Sequence, residues 1–377
     1  NLKLFGENHP KVAICHSNLG QIYKDQGNLG KAAECSSKVL AIDLKLFGEN
    51  HPMVAIDYSN LGQIYQAQGN LGKAAENSNK ALAIDLEIFG ENHPMAARDY
   101  NNLGQIYQDQ GNLDKAAECN NKALIINLKL FGENHPDVAI NYSNLGQIYK
   151  DQGNLGKAAE CSNKALAINL NLFGENHPGV AIDHSNLGQI YKEQGNLEKA
   201  EEYSTKALAI NLKLFGENHP KVAICHSNLG QIYKGRGNLD KAAEYSNKAL
   251  TISVKLFGEN HSAVATDYSN LGQIYQDQDN LGEAADYSNK ALTISVKLFG
   301  ENHTQVATNY SNLGAIYQAQ SKLGKASEYF SKALAINLKL FGENHSTVAI
   351  HYSNLGVIYK EQGNLEKAEE YSTKALA

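Results

Sequence analysis

The sequence predicts an all-α fold, a solenoid of stacked antiparallel helix hairpins. Three observations predict it. A block containing "NLGQIYKDQGN" at residues 18–28 returns nine times at a spacing of 42 residues, without one insertion or deletion, across a chain of 377 residues. Each period holds two segments with apolar residues at three- and four-residue spacings, the mark of an amphipathic helix. Gly20 and Ala32, one in each segment, keep their identity in every copy, through Gly356 and Ala368, as a close approach of two helices requires. A fixed period of this length means one repeating array rather than two or three ordinary globular domains.

The first segment, helix A, is expected over about residues 10–26, with Val12, Ala13, His16, Leu19, Gly20, Ile22 and Tyr23 on its apolar face. Pro10 suits the first helical turn, where its missing N–H costs nothing. Copies seven to nine carry Ser262, Thr304 and Ser346 instead, residue types that cap helix N-termini. Gly27 supplies a left-handed turn residue, and Asn28 can cap helix B, expected over about residues 29–47 with the apolar set Leu29, Ala32, Ala33, Val39, Leu40, Leu46 and Phe47. Gly48 ends it. Asp279 and Ser321 replace the turn glycine in copies seven and eight; Ser in particular tolerates positive φ poorly, so these turns are expected to be the weakest of the set. The pattern then repeats every 42 residues. Neither helix can bury its apolar face alone, so neighbouring hairpins must stack to make a continuous core.

The whole of 1–377 therefore reads as a single array of nine units with no other domain. The chain opens at Asn1, which matches Asn211 late in a repeat, and stops at Ala377, which matches Ala209; it is expected to be cut from a longer array at both ends. Residues 1–24 are identical to 211–234, and 359–377 to 191–209, which points to recent duplication of blocks of repeats. The net charge of -6 is spread through every copy, and no Lys/Arg cluster offers the electrostatic footprint of a nucleic-acid binder. Apolar runs such as "ALAI" are far shorter than the roughly 20 residues that span a bilayer. Five cysteines, odd in number and without a CxxC pair, fit a reducing compartment, so a cytoplasmic, intracellular location is expected.

Tyr58, Leu61, Gly62, Tyr65, Gly69, Ala74 and Ala81 follow the tetratricopeptide pattern of large aromatic, Leu, Gly, Tyr, turn Gly and two small residues. The chain thus resembles a tetratricopeptide repeat (TPR) array. Its 42-residue period, "NLG", "KALAI" and the linker "LFGENHP" are more similar to the kinesin light chain type than to the 34-residue consensus. The resemblance covers the whole chain and implies a right-handed superhelix whose concave groove is lined by helix A. One departure concerns the usual helix B aromatic, which here is mostly Ser (Ser36, Ser78, Ser204), with an aromatic one place earlier in Tyr203, Tyr245, Tyr287, Tyr329 and Tyr371.

Catalytic and metal chemistry finds little support. The nine histidines from His9 to His345 would stand about 10 Å apart in stacked hairpins, whereas zinc ligands all lie about 2 Å from one ion. A structural role in the linker, such as a hydrogen bond across the B-to-A connection, is expected instead. Cys15 beside His16, and Cys225 beside His226, cannot converge as nucleophile and base, because consecutive helical residues point about 100° apart. The run Asp183, His184, Ser185 fails as a triad for the same reason. Sequons at Asn141 and Asn260 are accidents of an Asn- and Ser-rich repeat. No enzyme activity, cofactor or metal is expected.

What remains is a stripe on helix A. Ile14, Ser17, Asn18, Gln21, Lys24 and Asp25 fall on one helical face. By resemblance this face lines the groove, where Asn of related repeats hydrogen-bonds the backbone of a bound peptide. An amide offers both donors and an acceptor to an extended chain. The candidate peptide-binding residues are the row Asn18, Asn60, Asn102, Asn144, Asn186, Asn228, Asn270, Asn312 and Asn354, the row Gln21, Gln63, Gln105, Gln147, Gln189, Gln231 and Gln273, and the cations Lys150, Lys192 and Lys234. The competing reading is that the Asn row bonds neighbouring helices and holds the curvature of the solenoid. Six cations of the stripe, counting Arg98, balance six carboxylates, so the groove is neutral and is no clamp for an acidic tail. A lysine late in helix A also suits the helix dipole. The expected function is an interaction scaffold holding an extended peptide or disordered segment of a protein partner. The rivals are a ligand-free spacer, with end-to-end self-association of the array, and the sensor arm of a larger signalling protein.

Overall fold

A computed structural model describes residues 6–376. Asn1 and Ala377, on which the expectation of a cut array rests, lie outside the described residues. Every described element is a helix: α1 Pro10–Asp25, α2 Leu29–Phe47, α3 Pro52–Ala67, α4 Leu71–Phe89, α5 Pro94–Asp109, α6 Leu113–Phe131, α7 Pro136–Asp151, α8 Leu155–Phe173, α9 Pro178–Glu193, α10 Leu197–Phe215, α11 Pro220–Gly235, α12 Leu239–Phe257, α13 Ser262–Asp277, α14 Leu281–Phe299, α15 Thr304–Ala319, α16 Leu323–Phe341, α17 Ser346–Glu361 and α18 Leu365–Leu376. Odd-numbered helices are helix A, even-numbered ones helix B. Contacts group the chain into two compact units, Asn1–Gln194 and Gly195–Ala377. In the first, α1 to α9 pack each on the next; in the second, α10 to α18 do the same.

The caps are built from the linker. In all nine repeats a histidine precedes helix A in extended conformation, and its Nδ1 accepts the backbone N–H two residues on, at 3.1–3.3 Å. His261, His303 and His345 are therefore the N-caps of copies seven to nine, and Ser262, Thr304 and Ser346 stand one place inside the helix. The expectation that those three hydroxyls cap is corrected: the imidazole reaches the N–H first. Each described Phe at the end of helix B then stacks on the following His, with ring centroids 4.1–4.4 Å apart. The histidine is a structural linker residue, as its spacing predicts.

Between the helices, Gly27 takes φ +73°, and Asp279 and Ser321 are held in the same left-handed region at φ 59° and 58°. The Asn28 side chain accepts from Lys31 N at 3.3 Å, the predicted cap of helix B. That bond is missing at Asn280 in the seventh repeat, and Lys322 replaces the Asn in the eighth.

The close approach centres on the invariant glycine. A Cβ on Gly146 would lie 2.5 Å from Ser162 Oγ and 3.3 Å from Ala158 O. The serine that departs from the tetratricopeptide pattern thus sits directly over the glycine; Asn120 takes this place in the third repeat and Phe330 in the eighth. The tyrosine one place earlier turns sideways to pack on helix A, as Tyr287 does on Tyr275 (5.2 Å, stacked) and Tyr268 (5.9 Å, tilted).

The core runs from hairpin to hairpin inside each unit: Leu124 of α6, Val138, Ala139 and Leu145 of α7, and Ile168 of α8 form one cluster. Fully burying residues such as Leu145 and Ile148 stabilises by about 1.5–3 kcal/mol each. Two expectations of burial need correction. Leu19 and Ile22 are exposed, whereas their equivalents Leu61 and Ile64 are buried, Ile64 packing on Ala32 and Ala33 of α2 and on Tyr23 of α1. Leu46 and Phe47 and their equivalents remain about 40% exposed along one edge.

Junctions within a unit also hold a facing polar pair, one residue from helix B and one from the next helix A. Examples are Asn127 Nδ2 to Asn141 Oδ1 (2.8 Å), Asn169 Nδ2 to Asp183 Oδ2 (2.6 Å), Ser253 Oγ to Asp267 Oδ2 (2.6 Å) and Asn309 Nδ2 to Ser295 Oγ (2.9 Å).

Candidate groove site

The stripe predicted on helix A stands at the seam between successive helices A. Asn18 and Asn60 are exposed, and Asn102, Asn144, Asn186, Asn228, Asn270, Asn312 and Asn354 are half-buried. The fold holds the row in register because each helix A begins on a His cap and ends with a C-cap residue at a fixed length. Four of these amides donate to a serine of the preceding helix A: Asn102 to Ser59 (3.3 Å), Asn186 to Ser143 (3.4 Å), Asn270 to Ser227 (3.1 Å) and Asn312 to Ser269 (3.2 Å). One N–H of each amide therefore serves the stack. Its carbonyl oxygen and second N–H are not used in those bonds.

Gln21, Gln63 and Gln105 are exposed; Gln147, Gln189, Gln231 and Gln273 are half-buried. Several serve the helix's own end, Gln21 donating to Asp25 (2.8 Å) and Gln147 to Asp151 (2.7 Å). The charges at the end of the stripe form a ladder between repeats. Gln66 donates to Asp109 and Gln108 to Asp151, both at 2.6 Å, and Gln318 to Glu361 at 2.9 Å. Lys150 lies 3.8 Å from Glu193, and Lys234 3.4 Å from Asp277. These two cations are already paired, so an acidic partner would have to compete for them; exposed pairs of this kind are worth about 0–1 kcal/mol.

Sequence reasoning places Ile14 in a polar stripe and misses what its equivalents make. Ile14, Ile140, Ile182, Ile224 and Ile350 are 47–59% exposed, an apolar row one helical turn before the Asn row. The signal was present: an isoleucine recurs on an otherwise polar face. In the third repeat the place belongs to Arg98, whose guanidinium donates to Asp85 (3.3 Å) and Asp99 (3.0 Å). Two pockets open beside this row at equivalent places. One, of about 290 Å³, lies between α11 and α13 in the second unit and includes Ile224, Asn228 and Thr266; the other, of about 320 Å³, lies between α5 and α7 in the first and includes Arg98, Asn102 and Ile140.

The other candidates go to the stack. Cys225 is buried and takes the Asn211 amide on Sγ at 3.4 Å, and burial pushes its thiol up. His226 packs against Tyr245 instead of facing the thiol. Among the described residues, no three His, Cys, Asp or Glu side chains converge on a point that could hold a metal ion. No described helix is long and apolar enough to cross a membrane.

The tetratricopeptide repeat pattern matches the chain in overlapping stretches at residues 16–87, 58–126, 100–171, 137–213, 184–253, 235–295, 264–339 and 305–377. No curated protein matches it by sequence. Among solved structures, BtubC (BKLC) from P. vanneervenii is 27% identical, with a TM-score of 0.50 over 59% of this chain and 87% of that one. A single-site variant of a kinesin-light-chain-like protein of nearly identical TPR-like repeats from Podosopora anserina is 23% identical, with a TM-score of 0.50 over 54% and 97% of the two chains. A Rap protein complexed with Competence and Sporulation Factor is 14% identical, with a TM-score of 0.59 over 97% of each chain. The last two, less than a quarter identical, bear on the fold alone.

Proposed function

Because the chain belongs to the tetratricopeptide repeat family, we propose that it is a protein-interaction scaffold that holds an extended peptide, or a disordered segment of a partner, against the helix A face. The observation that carries this reading is the Asn row: one amide per repeat, in constant register, half-buried at the seam from Asn102 onward. An extended chain advances about 3.3 Å per residue, and helices pack about 8–10 Å apart. Each repeat can therefore meet roughly every third residue of the bound segment. Backbone recognition of this kind is tolerant of sequence, since every residue supplies the same N–H and C=O. The Rap protein complexed with Competence and Sporulation Factor supports the reading only in so far as a chain of the same fold holds a ligand.

The bonds from Asn to serine favour a second reading, in which the row is glue between helices A. The triple variant Asn102→Ala, Asn144→Ala, Asn186→Ala separates the two. On the groove reading, binding of a degenerate peptide library to the full chain weakens by about 1 kcal/mol per lost amide, measured by calorimetry, while helicity holds and melting falls only by the loss of the Asn102–Ser59 and Asn186–Ser143 bonds. Unchanged binding with a lowered melting temperature gives the row to the stack and removes it from the site.

A further inference from the structure

We propose that the pocket between α11 and α13 is a side-chain subsite of the groove that takes one aliphatic residue of the bound segment, and that the repeat's variable positions set what each such junction accepts. The assignment rests on the groove's holding an extended segment.

The pocket's walls are apolar. Ala223 and Ile224 come from α11, Phe257 from the end of α12 and Ala263 from the first turn of α13, with Thr266 on the far side and Asn228 at the mouth. Ile224 is 56% and Phe257 40% exposed, so both present apolar surface to whatever enters. Asp267, the charged residue in the lining, has its carboxylate taken by Ser253 Oγ at 2.6 Å. That carboxylate is buried, while Ile224 and Phe257 are the exposed surface, so the occupant is an apolar side chain. The volume of about 290 Å³ lies just below the roughly 300–1,000 Å³ that hold a whole small molecule, and it suits a single side chain. The Asn beside it is placed to hold the backbone that carries that side chain.

The same pocket between α5 and α7 has different chemistry. Arg98 stands where Ile224 does, Asp137 where Ala263 does, and Ile140 where Thr266 does. Variation inside the chain collects at these places. The second residue of helix A is Met95, Asp137, Gly179, Ala263, Gln305 or Thr347 in different copies, while "NLG" further along the same helix is unchanged in all nine. A constant amide reads the backbone, and a changing wall beside it reads the side chain.

The full chain is tested against a degenerate peptide library in which one position is fixed in turn as each amino acid. The wild type should select Leu, Ile, Val or Met at one register. Ile224→Arg and Ala263→Asp copy residues the array already carries at equivalent positions, and should each reduce binding of the aliphatic-fixed pools by roughly tenfold or more. The milder Ile224→Thr, which copies Thr266, should fall between, and keeps the test sound if a charged variant misfolds by circular dichroism. Asn228→Ala should weaken all pools alike. Peptide binding without an aliphatic register, or with one that these wall variants leave unmoved, overturns the subsite and leaves the groove reading standing. Absence of binding by every pool overturns both.

Discussion

At the scale of single residues, the hairpin turns on the glycine of helix A. Replacing Gly146 by Ala sets two effects against each other. Ala is about 1 kcal/mol better than Gly in a helix interior. Its Cβ, however, would meet Ser162 Oγ at 2.5 Å and the Ala158 carbonyl at 3.3 Å, and overpacking a tight contact costs about 1–3 kcal/mol. The expected outcome is a net loss in the wild type and recovery of most of it in a Ser162→Ala background, where the hydroxyl is gone. Urea unfolding of the four proteins measures the coupling; additive effects would contradict the close approach. This contact was legible in the sequence as nine unvaried glycines. The role of Ser162 was not, because a serine in place of an aromatic reads as a departure until the atom facing it is known.

At the scale of helices, the buried polar pairs give the junctions a pH dependence. Asp57 is 6% exposed, opposite Asp43 at 5%. Burial, with the second carboxylate adding to it, pushes Asp57 from its ordinary value up to about 7. Asp99 also rises to about 7, through burial first, with Arg98 opposing and Asp85 adding. A carboxyl whose folded pKa lies above its unfolded value of about 3.9 contributes stability that is full below pH 4 and is lost as pH climbs toward 7. Asp57→Asn should therefore be more stable than the wild type at pH 8, by an amount on the order of 1–3 kcal/mol, with the difference vanishing near pH 4. Chemical unfolding at both pH values checks it. Equal stability at pH 8 would contradict the pairing. Helix boundaries were legible to within a residue, because Pro, Gly and Asn mark them. The pairs were not, since a polar residue within an apolar pattern shows its reason only when its partner on the next hairpin is seen. A signal did exist: residues 43 and 57, and each equivalent couple, are nearly always polar together.

At the scale of the molecule, one hairpin is repeated, and each repeat leans on the next in its unit through the same contacts. Solenoids of this kind draw their stability from nearest-neighbour interfaces, which explains why the period never slips: an insertion would break the His cap, the glycine contact and the polar pair together. Repetition also made the Asn stripe on helix A legible, as an Asn in constant register. It hid the pockets, because the eye follows what recurs, and their walls are built partly from what does not. The same constancy means that any segment held by the Asn row must touch several repeats at once. Hydrogen exchange of the full chain, with and without the peptide pool it binds best, tests this most directly. Added protection is expected in helix A of consecutive repeats, around Asn102, Asn144 and Asn186 or around Asn228, Asn270 and Asn312, with helix B unchanged except for its last turn beside the pocket. Protection confined to one repeat, or falling on helix B away from the pocket, would contradict it.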